Sequence, residues 1–435
     1  MSRARAIHLA VVALLLVAVY GSGIERVKFH KDESAWIGTS YYLEAFLGEP
    51  VNRIRPELPD PVWTATYETL TQPPLARYVM GVGRRLGGYT ITELNRPWDF
   101  RQSLDANAAS GHMPSENLLL WSRRPMVLLS VVSGLLLFSL VTRCAGLVAG
   151  YTFAILFAFN PYFLETLRRA MGDATLMVFA VAVLVATERG LEAWRRAGAG
   201  DPSKRAGLAP AAWAILAALL CGLAGASKLN GLVAAGGVAV VAALAIIRGS
   251  KSRPQGPRLG TAIVAAEVIL ATAAIAFVAP NPYLYANPPL HTKLMFEHRA
   301  DEMRRQRDLV PETRLNGVVD RAQAAARRVL ILQAVLRFPG AWLINAGLTL
   351  AGLVVLARRA RHELADRAPG PALAILVVGA SLVFPAVLTP LNWDRYYLFP
   401  VVFANICIAV GVAVGVKFGR TVAGSRFSRH RTAGA

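Results

Sequence analysis

Apolar runs close to the ~20 residues that a bilayer requires recur along this chain, and they constrain its fold more than any other feature. They can be read at Ile7–Ile24, Pro125–Val141, Gly146–Phe163, Ala170–Thr187, Ala209–Ala226, Leu229–Ile247, Leu259–Ala279, Ala341–Leu356, Pro371–Leu388 and Leu398–Val416. Each is too long and too uniformly apolar for a barrel strand, so helices are the expected spanning elements. The predicted fold is an all-α integral membrane protein of about ten transmembrane helices. Composition agrees: 17% of the 435 residues are charged, where a soluble domain carries roughly a quarter.

The net charge of +20 sits largely in short loops between apolar runs. With a cytoplasmic N-terminus, Arg143, the stretches Arg189–Arg205, Arg248–Arg258 and Arg358–Arg367 and the tail Lys417–Arg431 all fall inside, as loop charge requires. Attraction to anionic membrane lipids is a secondary reading of the charge, and no basic surface interleaved with aromatic residues points to nucleic acid. Two long loops, Glu25–Arg124 and Asn281–Gly340, then face outward. Residues 1–420 are expected to form one polytopic unit, with 421–435 a short basic cytoplasmic tail. The first run shares features with a secretory leader, but it is long for one and lacks an A-x-A site. Three scattered cysteines, Cys144, Cys221 and Cys407, make neither a disulfide framework nor a zinc cluster.

The outer loops carry amphipathic segments of their own. Trp36-Ile37, Ser40-Tyr41 and Leu43-Glu44 have helical spacing suited to the interface. Tyr67–Leu86, with Pro73-Pro74, reads as a second interfacial helix, and Ala322–Leu336 as a third whose Arg327 and Arg328 snorkel. Asn-Pro-Tyr occurs twice, at 160–162 and 281–283, and reads as architecture: a helix stop beside a headgroup-level tyrosine.

Polar residues gather on the outer face by topology. Asp32-Glu33 follows the first run, Gln72 precedes the Pro-Pro pair, and Arg168, Arg169 and Asp173 lie between runs three and four. Lys228 lies between five and six, and Asn392–Tyr397 joins nine and ten. For Asp32-Glu33 two readings stand: a helix cap at the positive end of the macrodipole, or a catalytic carboxylate at the lipid–water boundary. Asp173 could likewise cap a helix, and Lys228 could be an interface anchor. Glu267, inside the seventh run, reads as packing or cavity-lining.

Four stretches in order resemble the GT-C glycosyltransferases, in the branch of the protein O-mannosyltransferases and bacterial aminoarabinose lipid A transferases. They are KDESAW (31–36), TQPPLARYVMGVGRRLGG (71–88), RRAMGDATLMVFAV (168–181) and DRYYLFPVVF (394–403). The resemblance covers Ile7 to Ile247 well and the remainder loosely. It implies helical spans around a cavity on the extracytoplasmic face of the plasma or inner membrane. There a polyprenyl-phosphate sugar would meet the hydroxyl of a lipid, glycan or protein acceptor. Asp32 matches the catalytic acid, Glu33 its neighbour and Asp173 the acid of the second outer loop. Relatives often carry a charged residue or histidine where Gln72 stands, which puts a phosphate role there in doubt. Relatives commonly also carry more spans or a soluble C-terminal domain.

The chemistry accounts for the same residue types. A lipid-phosphate donor already has a good leaving group, so a carboxylate acting as general base and a cation beside the phosphate suffice. Arg168, Lys228 and Arg395 are the candidate phosphate-binding cations. Gln72 and Tyr396 are candidate substrate contacts. No cofactor is required; a divalent metal is left open, although there is no D-x-D and the His30/Glu33 pair, with His291 and His298 elsewhere, makes no convincing ligand trio. The competing reading is a transporter or flippase of a lipid-linked or anionic solute, which calls for polar residues or broken helices near the midplane of matching halves.

Overall fold

The computed structural model describes residues 3–58, 62–198, 204–248 and 258–432, with side chains left out for 198, 204–207, 258 and 420–432. Parts of two basic loops (199–203 and 249–257) and residues 433–435 of the tail lie outside the described residues, and the tail's described backbone continues the last helix, Leu398–Thr432. Among the described residues there is no strand, only one isolated bridge between Arg314 and Leu391.

Nine helices are long and apolar enough to cross a bilayer among the described residues. The eighth apolar run is the start of a 25-residue helix, Ala341–Ala365. The third is the exception. Its helix, Leu147–Phe159, has 13 residues, and at 1.5 Å per residue it covers only about 20 Å. Pro161 cannot continue the hydrogen-bond ladder, so the chain kinks and restarts as Pro161–Thr166, with Asn160 Oδ1 accepting from the Tyr162 amide at 2.9 Å.

The first long loop folds into short helices, including Lys31–Gly38, Tyr42–Phe46, Tyr67–Thr71 and Leu75–Leu86. The expected single helix 67–86 is broken at Gln72-Pro73-Pro74, because proline interrupts the ladder there. Leu75–Leu86 packs closely on the long Glu116–Ala145 helix. A Cβ on Gly83 would come 2.7 Å from both Pro125 Cγ and the Trp121 carbonyl, so only glycine permits that approach. Buried Arg84 donates to Ser40 Oγ at 3.0 Å and pairs with buried Glu44, tying this helix to the loop before it.

In the second long loop the amphipathic stretch 322–336 falls partly on the helix Val318–Arg327, which is followed by a π turn at Arg328–Leu332. A 22-residue helix, Pro288–Leu309, precedes it where the sequence reading had only loop. Glu267 corrects an expectation. It is exposed on Arg258–Val278 and so is not packed into the core.

Candidate active site

The helix Lys31–Gly38 resolves the two readings of Asp32-Glu33 by dividing them. Its cap is His30, whose Nδ1 accepts from the Asp32 amide at 3.1 Å. Glu33 closes the capping box by accepting from the His30 amide at 3.0 Å. Glu33 is fully buried, and Arg123 grips it through Nε and Nη2, both at 2.8 Å. The Ala170 amide donates to it as well, at 2.8 Å. Arg123 also donates to the carbonyls of Ile24 and Val27. Glu33 therefore joins the first long loop to the Glu116–Ala145 helix and to the turn before Gly172–Gly198, and neither of its oxygens is open to a substrate. Expected among the catalytic acids, Glu33 is in this structure committed to holding the loop.

Asp32 is left free of capping and turns to Arg395, with which it forms an ion pair across 363 positions of sequence. Asp32 and Arg395 side chains are 21% and 25% exposed, so the pair is sheltered yet reachable. Burial alone would raise the Asp32 carboxyl. Attraction to Arg395, with smaller help from His30 and Lys228, outweighs it and holds the pKa below the ordinary 3.8. His30 is also lowered from 6.5, first by burial and then by Arg169 and Arg395, against the opposing pull of Asp32.

The second ion pair joins Lys228 Nζ to Asp173 Oδ1 at 2.6 Å. Asp173 is buried in the first turn of Gly172–Gly198, and its Oδ2 has no partner. Gly172 makes room for both Trp36 and Lys228: a Cβ there would lie 3.0 Å from Trp36 Cη2 and 3.3 Å from Lys228 Cε. Asp32, Arg395, Lys228 and Asp173 thus converge at the end of the bundle where the first long helix, Arg3–Gly21, finishes.

The loop carrying Arg395 is held by side chains from outside it. Arg328 donates to Asn392 Oδ1 and its carbonyl, each at 3.0 Å, and pairs with Asp394. Arg328 therefore anchors this loop and does not simply snorkel. Tyr162 Oη donates to the Asp394 carbonyl at 2.8 Å, and Asn160 Nδ2 donates to the Gln333 carbonyl at 2.9 Å. The first Asn-Pro-Tyr motif is thus architecture that sets the arginine's position. In the second, the Tyr283 ring stacks on His291 at 4.5 Å. The Arg395 guanidinium also lies over Trp393, 4.8 Å from its ring centre.

Two predicted residues are engaged elsewhere. Arg168 donates to the carbonyls of Val19, Tyr20 and Ser22. The last carbonyls of a helix lack internal partners and draw such a donor, so Arg168, expected at the phosphate, caps the first long helix in this structure. Gln72 accepts from Arg77 Nη2 at 3.0 Å, and this buried arginine lies over Tyr42 at 4.7 Å and Trp36 at 5.6 Å. Gln72 therefore supports the wall behind Trp36, in place of the substrate contact expected of it.

The sequence reading missed the contribution of Pro288–Leu309. Arg299 Nη2 donates to Tyr396 Oη at 3.0 Å, and His298 packs edge-on to Tyr67 with ring centres 6.0 Å apart. Burial, with Glu302 adding to it, pushes the Tyr67 phenol up to about 12, so it stays protonated at neutral pH. Asn287 followed by Pro288-Pro289 was a readable helix start, a side-chain cap before a first-turn proline.

No three His, Cys, Asp or Glu side chains gather in a metal-binding arrangement among the described residues. His30 Nδ1 is committed to capping, both Glu33 oxygens are committed to Arg123, and Asp32 and Asp173 each face a cation. This donor set does not fit a divalent ion. Carboxylates alternating with cations suit proton transfer beside a phosphate.

The charge states set a pH dependence. Both Asp32 and His30 titrate below their ordinary values, so ionised Asp32 and neutral His30 are complete above pH 6.5. Their contributions to stability are lost as pH falls, His30 first and Asp32 only below 3.8. Thermal midpoints in detergent are therefore expected to be flat from about pH 7 to 8 and to decline on acidification below 6.5. His30→Asn, which keeps a capping oxygen, should flatten the first part of that decline.

Comparison with known proteins places this geometry. The family model for dolichyl-phosphate-mannose-protein mannosyltransferase matches residues 63–279. No curated protein matches the chain significantly by sequence. Among solved structures, ArnT from Cupriavidus metallidurans in the apo state is similar at 18% identity and a TM-score of 0.53, covering 97% of this chain and 63% of ArnT. The same protein bound to undecaprenyl phosphate gives 17% identity and a TM-score of 0.51, covering 98% and 64%. The Archaeoglobus fulgidus oligosaccharyltransferase, in complex with zinc and sulfate, gives 15% and 0.54, covering 95% of this chain and 49% of its own. At these identities the likeness is one of fold, and the chain spans less than two thirds of the length of these relatives. Residues 63–279 thus match the family model for dolichyl-phosphate-mannose-protein mannosyltransferase, and the chain as a whole carries the GT-C membrane fold.

Proposed function

We propose that this protein is a membrane glycosyltransferase that moves a sugar from a polyprenyl-phosphate donor to an acceptor hydroxyl on the extracytoplasmic face, with inversion at the anomeric carbon. The observation that carries the reading is the Asp32–Arg395 ion pair beside Lys228–Asp173. The family match and the undecaprenyl phosphate bound to the ArnT relative support a polyprenyl carrier.

In this reading Asp32 is the general base and Arg395 and Lys228 bind the donor phosphate. The acceptor oxygen attacks the anomeric carbon opposite the phosphate, and its proton passes to Asp32. The bond from that carbon to the phosphate oxygen breaks, and the leaving polyprenyl phosphate keeps the electron pair. Arg395 and Lys228 neutralise the charge that grows there. Before the donor binds, Arg395 suppresses the basicity of Asp32. Once phosphate engages the guanidinium, that suppression weakens and the carboxylate becomes a better base. Asp173 is a positioning residue that holds Lys228. The transporter alternative draws no support from Glu267, which faces outward from its helix.

The test is transfer from polyprenyl-phosphate mannose in membranes that supply the native acceptor, together with binding of undecaprenyl phosphate to the purified protein. Arg395→Ala is expected to weaken that binding by about tenfold or more, the value of a charge-assisted hydrogen bond to phosphate. Unchanged affinity and unchanged turnover in this variant would remove the phosphate site from the cluster.

A further inference from the structure

At the opposite end of the bundle from the Asp32 cluster, about 24 Å along the first long helix from Gly21 to Arg5 at 1.5 Å per residue, a cavity of ≈ 330 Å³ opens between that helix and the ends of Glu116–Ala145 and Leu147–Phe159. Two arginines meet in it. Arg5 Nη2 donates to Ser139 Oγ at 3.1 Å, and Arg143 Nη1 donates to the same oxygen at 2.6 Å. The two guanidinium groups therefore hold donor nitrogens within about 6 Å of each other, close enough to engage one anion together.

Arg143 is also paired with Glu188 at 2.8 Å, but the cavity lining itself contains no carboxylate among the described residues. A serine oxygen has two lone pairs and one proton. Both lone pairs of Ser139 are taken, which leaves its O–H to donate, and no described residue accepts it. His8, bonded to Tyr151 Oη at 2.7 Å, completes the polar lining. Leu9, Phe138 and Leu147 supply an apolar wall, and Leu147 is 43% exposed on the outside of the bundle.

We propose that this cavity binds the phosphate headgroup of a membrane lipid. Two converging guanidinium groups and a spare hydroxyl proton match the oxygens of one phosphate. The apolar wall at the bundle surface takes the start of an acyl or prenyl chain. Basic pockets between spanning helices hold anionic headgroups in this way. The site is separate from the Asp32 cluster and does not depend on the catalytic reading.

Native mass spectrometry of the full chain in detergent, titrated with phosphatidylglycerol, tests the proposal. One tightly held lipid is expected. Arg5→Gln and Ser139→Ala should each weaken it by about tenfold, while Arg3→Gln, an exposed position outside the lining, should bind as wild type. Arg143 is left intact because it also holds Glu188. Circular dichroism and thermal midpoints check that the variants fold, and the two substitutions are independent of each other. Competition by undecaprenyl phosphate at this site would support the proposal and name the carrier lipid as a second source of the headgroup. Equal phosphatidylglycerol affinity in wild type, Arg5→Gln and Ser139→Ala would overturn it, as would binding of inorganic phosphate as tight as that of the lipid.

Discussion

Asp32→Asn is expected to lower sugar transfer by about 10²–10⁴-fold, the usual worth of a general base, while undecaprenyl phosphate still binds. The substitution keeps the shape of the side chain and removes only its charge and basicity. The start of its helix does not depend on that carboxylate, because His30 and Glu33 form the capping box. Loss of the charge also frees Arg395 from its ion pair, so affinity for a phosphate should hold or rise. Initial rates and binding isotherms on one preparation separate the two effects. Turnover close to wild type would remove Asp32 from the chemistry. Turnover and binding lost together, with the protein still folded, would instead make it part of the donor site.

Glu33→Gln, one position away, is expected to act on stability. It leaves the Arg123 guanidinium, 2% exposed, without a counter-charge, and breaking one side of a buried pair costs about 3–5 kcal/mol. Total stabilities are typically about 5–15 kcal/mol, so the thermal midpoint in detergent should drop sharply and yield with it. Arg123→Gln should behave alike, and the double variant should lose less than the sum because the two side chains share one network. A Glu33→Gln protein as stable as wild type but inactive would return this residue to the reacting centre. Adjacent carboxylates thus separate cleanly: one loss in rate, one in stability.

Much of this architecture was legible in the apolar runs, because bilayer thickness fixes helix length. Topology alone put Asp32, Asp173, Lys228 and Arg395 at one end, and the structure joins them in two ion pairs. Less was legible where several backbone or side-chain groups compete for one partner. Arg168 stands beside a first-turn acid and looked available for phosphate, yet the unfilled carbonyls of Val19, Tyr20 and Ser22 claim it. Composition marked the third run as a span, but one proline shortens its helix and turns Tyr162 onto the loop that carries Arg395. The Pro288–Leu309 helix escaped notice because its pattern is too polar to show an apolar stripe, and only its cap and prolines marked it.

The central claim is that the phosphate of a polyprenyl-phosphate sugar sits between Arg395 and Lys228, with the anomeric carbon turned towards Asp32. The most direct measurement is a cryo-electron microscopy structure of Asp32→Asn with such a donor trapped by the slow turnover. The account predicts phosphate oxygens about 2.7–2.9 Å from nitrogens of both cations and the substituted amide side chain at that position beside the open face of the sugar. A donor phosphate held elsewhere, with Lys228 still closed on Asp173 and Arg395 touching no phosphate oxygen, would contradict it.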